Sequence, residues 1–203
     1  MPVDFANSET LKNLMRAFAG ESQARNRYTF AAAQCRRQGL HVLEMVFQFT
    51  ANQEKEHAEI FYQHMEPFAG GAVQIDGTYP VDMTDSAAAL LRGAQRNEYE
   101  EHGTVYPAFA DIAQKEGFPL IAASFRQIAA IEKTHGDRFG SLADLLEQEK
   151  LFAGGEGQGW LCLNCGHIHQ GPAAPAACPV CGHDRGFFLR LESAPFGIPN
   201  RAY

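Results

Sequence analysis

Two copies of one pattern in this chain could do metal chemistry: a glutamate, then 33 or 34 residues later a Glu-x-x-His. Glu21 is followed by Glu54 and His57, and Glu98 by Glu132 and His135. Positions i and i+3 of a helix share a face, so each Glu-x-x-His aims a carboxylate and an imidazole at one point. An offset of this size suits an antiparallel helical hairpin. Two such hairpins packed together bring four carboxylates and two imidazoles into one interior, the ligand set of a carboxylate-bridged dimetal site in a four-helix bundle. That donor mixture suits iron or manganese, and iron is favoured. Alone, the run Gln53-Glu-Lys-Glu-His-Ala-Glu59 reads equally well as a solvated acidic face. The matched second copy decides for metal.

Glu101 lies one further i+3 step beyond Glu98, so it can face the same point as a seventh ligand. An extra carboxylate beside a histidine gives one metal a choice, because a ferric ion favours carboxylate and a ferrous ion tolerates imidazole. A second metal set follows downstream. Cys162-Leu-Asn-Cys165-Gly and Cys178-Pro-Val-Cys181-Gly form two knuckles whose four thiolates make a tetrahedral site. Spacing alone favours zinc, which ribbons of this kind hold, with iron the alternative. Cys35 stands apart and reads as a packed or partly exposed thiol. His41, His64, His102, His167, His169 and His183 have no matched partners and read as surface or loop residues.

The elements that must position these ligands are legible in part. Asn7 or Ser8 can cap a first helix that runs to Gln38 and stops at Gly39. A second helix covers about Leu40–Glu66 and stops at Pro67. Residues 67–84 are too polar and glycine-broken for a helix, yet long enough to cross to the far end of a bundle. Asp82, Thr84 or Asp85 can start helix three, which runs to about Lys115 before Gly117, with a kink expected at Pro107. Helix four begins near Pro119 and continues to about Lys150.

Composition sets the remaining bounds. The first 150 of the 203 residues are rich in Ala, Leu, Glu, Gln and Arg, whereas Gly, Pro and Cys dominate after Gly154. We read a bundle over residues 1–150, a flexible linker over 151–159 and a small unit over 160–203 that needs a metal staple. The net charge of −7 disfavours nucleic acid or an anionic membrane as partner. No leader or apolar span is evident, which suggests the cytoplasm, and a reducing compartment favours metal over disulfides.

At Gly20-Glu-Ser-Gln-Ala-Arg-Asn-Arg-Tyr28, Gln53-Glu-Lys-Glu-His-Ala58, Glu98-x-x-Glu101 with Val105-Tyr-Pro107, and Glu132-x-x-His-x-x-Arg-Phe139, the chain resembles the rubrerythrin family. The resemblance implies a mainly α fold: a ferritin-like four-helix bundle with a long crossover between helices two and three, then a small β-rich rubredoxin-like metal domain. It implies two non-haem irons bridged by Glu54 and Glu132. One iron uses Glu21 with Glu101 when oxidised or His57 when reduced; the other uses Glu98 and His135. Tyr28 and Tyr106 are implied to hydrogen-bond the ligand carboxylates. A metal pair that turns over needs single electrons, which an Fe(Cys)4 centre carries and zinc does not, so context moves the cysteine site toward iron. The implied activity is reduction of hydrogen peroxide to water, with electrons from a separate NAD(P)H-dependent reductase or rubredoxin, in a homodimer. The rivals are a ferroxidase that stores iron and a non-enzymatic scaffold with zinc in the cysteine site.

Overall fold

The computed structural model describes residues 3–194. Residues 1–2 of the expected bundle and 195–203 of the expected small unit lie outside that range. Helix α1 (Glu9–Arg37) starts where Ser8 Oγ accepts the Leu11 N–H at 3.0 Å, and it ends at Gly39, whose φ of 68° suits a residue without Cβ. Helix α2 (His41–Gln63) is shorter than expected. Pro67 sits inside a separate 3-10 turn, Glu66–Phe68, because a proline restricts the backbone of the residue before it and no helix runs up to it.

After an extended crossover, Ser86 caps helix α3 (Ala87–Glu100) by accepting the Ala89 N–H at 3.2 Å. The expected caps do not serve: Thr84 Oγ1 instead accepts the N–H of Ser86 at 3.1 Å. The expected single helix with a kink at Pro107 also needs correction. Its irregularity is a π-helical turn, Glu101–Val105, in which the Tyr106 N–H reaches back five residues to the Glu101 carbonyl. Pro107 then falls in the first turn of helix α4 (Tyr106–Glu116), which Gly117 ends at φ 92°. Helix α5 (Pro119–Glu147) completes the bundle.

Helix α1 packs along α2, and α5 along α3 and α4, so the bundle is two hairpins joined by the crossover. The crossover is pinned to the bundle. Arg16 holds Asp76 at 2.7 Å, Tyr79 Oη donates to the Arg16 carbonyl at 2.9 Å, and Asp82 accepts from Arg27 at 3.1 Å and Asn97 at 2.8 Å. Among the described residues no helix is long and apolar enough to cross a membrane.

The small unit is a three-stranded antiparallel sheet in the order β2-β1-β3, from β1 (Gly159–Cys162), β2 (Ile168–Gln170) and β3 (Phe188–Arg190). Trp160 is fully buried beneath it and donates from Nε1 to the Gly171 carbonyl at 2.9 Å. The connection expected to be flexible is tied down. Leu151 is buried in the bundle core, the Gly154 N–H donates to the Pro172 carbonyl at 2.7 Å, and Arg190 reaches the Lys150 carbonyl at 2.8 Å.

The unit also docks on the α1–α2 turn. Phe187 stacks on His41 with ring centroids 4.0 Å apart, so His41 is a packing residue and not the surface group expected. Beside them, a Cβ on Gly186 would lie 1.8 Å from the Gly39 carbonyl oxygen. No real contact is that short, so Gly186→Ala must push the two backbones apart. The expected loss is about 1–3 kcal/mol, the usual range for overpacking, read as a lower thermal midpoint.

Candidate metal centres

The first centre lies between two layers of buried rings. Tyr28, Phe47 and Phe139 pack on one side with centroids 5.1–5.9 Å apart, and Tyr106, Phe61 and Phe125 on the other at 5.0–6.0 Å. Four helical rods each turn ligands into the gap between them. Glu21, Glu54, His57, Glu98, Glu132 and His135 are all buried.

These six form two nests that share two members. In one, Glu21, Glu54, His57 and Glu132 converge; in the other, Glu54, Glu98, Glu132 and His135 do. The sharing is resolved oxygen by oxygen. His57 Nδ1 lies 3.0 Å from Glu54 Oε2 and 2.9 Å from Glu132 Oε1, whereas His135 Nδ1 lies 3.1 Å from Glu54 Oε1 and 2.8 Å from Glu132 Oε2. Each shared carboxylate therefore offers one oxygen to each nest, which is the geometry of a bridge.

The donors fit metal ions on two grounds. With metal–ligand bonds of about 2.1 Å, donors at right angles lie about 3.0 Å apart, close to the spacings above. In addition, nine buried atoms of these six side chains complete no hydrogen bond, both oxygens of Glu54 and of Glu132 among them. The imidazole contacts at 2.8–3.1 Å offset part of that cost, and at about 1–3 kcal/mol for each group left unsatisfied the remainder is still a large share of a domain's stability. A cation at each nest removes it.

The outer oxygens are held by phenols. Tyr28 Oη donates to Glu98 Oε1, and Tyr106 Oη donates to Glu21 Oε1. The structure thus brings together six of the seven ligands expected from sequence, with both tyrosines in contact. Glu101 is the exception. It is only partly buried and lines a half-open cavity beside the Glu21 nest, outside both four-donor groups.

Electrostatics follow from this crowding. Burial, then repulsion from Glu132 and Glu54, pushes the Glu21 carboxyl well above the ordinary range, and burial with Glu54 does the same to Glu98. Burial likewise raises Glu101, with Glu98 adding to it. Burial opposes ionisation of Glu132 too, yet His135 and His57 bring it down to about 2. Burial disfavours charge on His57 and His135, but their carboxylate neighbours raise them to about 9 and about 12.

A pH dependence of the metal-free protein follows. The His57 pKa is raised from 6.5, so its contribution to stability is complete below pH 6.5 and lost as pH rises through about 9. The raised glutamates act with the same sign from the acid side. Urea unfolding of metal-free protein across this window is expected to show a loss on the order of 3 kcal/mol. The loaded protein, whose metals displace the His57 proton, is expected to lack that slope.

Sequence reasoning gave Arg138 no role, although i+3 from His135 puts it on the ligand-bearing side of α5. It lies over the Phe49 ring at 5.4 Å and donates to Thr50 Oγ1 at 3.1 Å, near the Glu98 and Glu54 carboxylates. His102, read from sequence as a surface or loop residue, is partly buried in the π turn and contacts the Ala129 carbonyl at 2.7 Å. His64 contacts Ser124 Oγ at 2.8 Å. Cys35 is fully buried, and burial raises its thiol to about 12, which makes it inert.

The second centre is built from two matching knuckles. The Cys162 N–H donates to the His167 carbonyl and the Cys178 N–H to the His183 carbonyl, both at 2.8 Å. Gly166 and Gly182, at φ 77° and 76°, close the turns with N–H bonds back to Cys162 and Cys178. The Sγ atoms of Cys162 and Cys181 lie 3.7 Å apart, as do those of Cys165 and Cys178. A tetrahedron with metal–sulfur bonds of about 2.3 Å has edges of about 3.8 Å, so the four thiols fit one ion. The backbone N–H of His183 draws the Cys181 thiol down to about 6, toward the thiolate that a metal needs.

Residues 12–143 match the Rubrerythrin family model, and residues 160–188 match the rubrerythrin rubredoxin-like domain. The chain belongs to the rubrerythrin family. The rubrerythrin of Porphyromonas gingivalis is 44% identical over 186 residues, covering 92% of this chain and 92% of that protein. A solved structure of mixed-valence nigerythrin superposes with a TM-score of 0.60 at 28% identity, covering 91% of this chain and 90% of that one. The bacterioferritin BfrA of Mycobacterium tuberculosis superposes with a TM-score of 0.61 at 18% identity, covering 73% of this chain and 90% of that one, which shows the ferritin-like fold. Rubrerythrins are iron-binding oxidoreductases. A candidate diiron site and a four-cysteine rubredoxin-like site, Cys162, Cys165, Cys178 and Cys181, are both present in this chain.

Proposed function

We propose that this rubrerythrin is a peroxidase that reduces hydrogen peroxide to two waters. The observation that carries the reading is the pairing, in one chain, of two nests bridged by Glu54 and Glu132 with a four-thiolate site. A reduced iron pair supplies two electrons at once when bound there, and an Fe(Cys)4 centre returns them singly. The chain's own residues do the rest. Glu54 and Glu132 hold the two ions at a fixed separation. Tyr28 and Tyr106 fix the outer oxygens of Glu98 and Glu21, so those carboxylates keep their orientation as charge changes.

Glu101 is the adjustable seventh ligand in this reading. It stands at the cavity lip, while His57 completes the nest, which is the ligand arrangement suited to the reduced state. The two rings of phenylalanine exclude water from above and below. Electrons reach the four-cysteine centre from an external NAD(P)H-dependent reductase or a rubredoxin. That centre docks at the α1–α2 turn, where His41 is thirteen residues of helix, roughly 20 Å, from Glu54 in the same chain; in the homodimer of this reading electrons pass either within a chain or between subunits.

The test is stopped-flow mixing of the reduced protein with hydrogen peroxide, followed by absorption. Rapid oxidation of the iron pair is expected; a reduced pair inert to peroxide would sink the reading. Metal analysis separates the rivals, since zinc in the cysteine site would mean a scaffold. A many-subunit shell by sedimentation would mean iron storage.

A further inference from the structure

The cavity beside the Glu21 nest is far larger than hydrogen peroxide. Its volume is about 500 Å³, whereas one water occupies about 30 Å³ and peroxide roughly twice that. Pockets of this size hold small organic molecules. Its walls are mixed: Ala17, Pro80, Val105, Phe109 and the ring of Tyr79 form an apolar side, and polar or charged residues form the rest. Glu101 lies in the same lining with Tyr106, whose hydroxyl donates to Glu21, so a molecule seated here lies against Glu101 and one side chain away from the Glu21 nest.

The chemistry of the rim narrows the class of occupant. Arg16 and Arg27 both line the cavity, but neither is available to an anion. Arg16 is paired with Glu9 at 2.5 Å and Asp76 at 2.7 Å, and Arg27 with Asp82 at 3.1 Å. Glu100 on the rim adds a carboxylate, which further disfavours an anion. The cavity therefore suits a neutral, partly apolar molecule with one polar end directed at Glu101.

Resting on the peroxidase reading, we propose that this cavity seats neutral organic hydroperoxides, R–O–OH, as a second substrate class. The O–O bond breaks, two electrons come from the reduced metal pair and two protons from solvent through the open side; the products are one alcohol and one water. The R group lies against Val105, Phe109 and Pro80, under the crossover. Tyr79 fixes the roof, because its hydroxyl is already spent on the Arg16 carbonyl at 2.9 Å and its ring lies over Gly20, where a Cβ would be 3.6 Å away. Thr78 is an exposed residue of the lining with no role in the metal nests, and a bulky side chain there fills the volume the R group needs.

The experiment compares wild-type holoprotein with Thr78→Trp in two measurements. Calorimetric titration of the reduced protein, without peroxide, with 2-phenyl-2-propanol, the alcohol from cumene hydroperoxide, is expected to show one site, weakened about tenfold in T78W. Stopped-flow oxidation of the reduced protein by cumene hydroperoxide is expected to run within about 30-fold of the hydrogen peroxide rate in wild type, with the ratio falling about tenfold further in T78W. No alcohol binding, or equal binding by both proteins, overturns the proposal, as does a cumene hydroperoxide rate below that range. If hydrogen peroxide reacts and cumene hydroperoxide does not, the pocket assignment alone falls. If neither oxidises the protein, the peroxidase reading falls and takes this proposal with it.

Discussion

Glu132→Ala is expected to empty both nests of the bundle at once, leaving the cysteine centre loaded. Glu132 places Oε1 2.9 Å from His57 Nδ1 and Oε2 2.8 Å from His135 Nδ1, so one truncation removes a donor from each nest. It also removes the carboxylate that the two histidines bring down to a pKa of about 2. Loss of an outer hydrogen-bond partner already costs a metal site about 10–100-fold in affinity, and loss of a shared ligand must exceed that for both ions. Glu21→Ala and Glu98→Ala are the controls. Each side chain belongs to one nest only, so each is expected to cost one metal and spare the other. Metal content per chain after dialysis against a weak chelator reads the difference. Retention of one ion by E132A would show that Glu132 does not bridge.

The Glu-x-x-His ligand pairs were legible in sequence because their cause is local, whereas the bridging role of Glu54 and Glu132 came only with the family resemblance. Glu132 and His135 share a helix face whatever the rest of the chain does, and the same holds for Glu54 and His57. The cysteine knuckles were legible for a similar reason: Gly166 and Gly182 each follow a C-x-x-C directly and take the positive φ that the turn demands. What escaped depends on pairs remote in sequence. Nothing near Asp82 announces that it will sit between Arg27 and Asn97, and nothing near Gly186 announces the Gly39 carbonyl. The linker looked free because glycine count speaks only of local freedom, whereas Arg190, some forty residues on, clamps it. Glu101 keeps the helical phase of Glu98, with φ −63° and its N–H on the Asn97 carbonyl, yet it stands outside both four-donor groups, and the i+3 rule speaks of the helix face and not of how far a side chain reaches.

The π turn was nevertheless encoded in the two unequal offsets. Tyr28 and Tyr106 each precede their turn glycine, Gly39 and Gly117, by eleven residues, and those glycines precede Glu54 and Glu132 by fifteen. The copies differ in one interval: Tyr28 follows Glu21 by seven residues, but Tyr106 follows Glu98 by eight. Both tyrosines donate to the outer oxygen of a glutamate in the opposite hairpin, so both must keep phase with the site. The extra residue is absorbed as the π turn Glu101–Val105, a single-turn bulge of the kind found at functional sites.

Deleting Thr104 is therefore expected to leave the bundle folded and both nests loaded, because it restores the spacing of the first copy. Its cost falls on Pro107. In the present structure the π turn widens the backbone immediately before that proline. An unbroken α-helix would set the ring against the carbonyl four residues back and leave that carbonyl unbonded, a cost of about 3 kcal/mol. Adding Pro107→Ala to the deletion removes both penalties, so the double variant should recover most of the loss in urea unfolding. P107A alone should recover nothing, since the wild-type turn already accommodates the ring. The deletion also draws in the cavity wall formed by Glu101 and Val105, so metal content and stability report on the phase while peroxide reactivity reports on the wall. Loss of both metals on deletion would show that the extra residue sets the ligand phase itself and not only the space beside it.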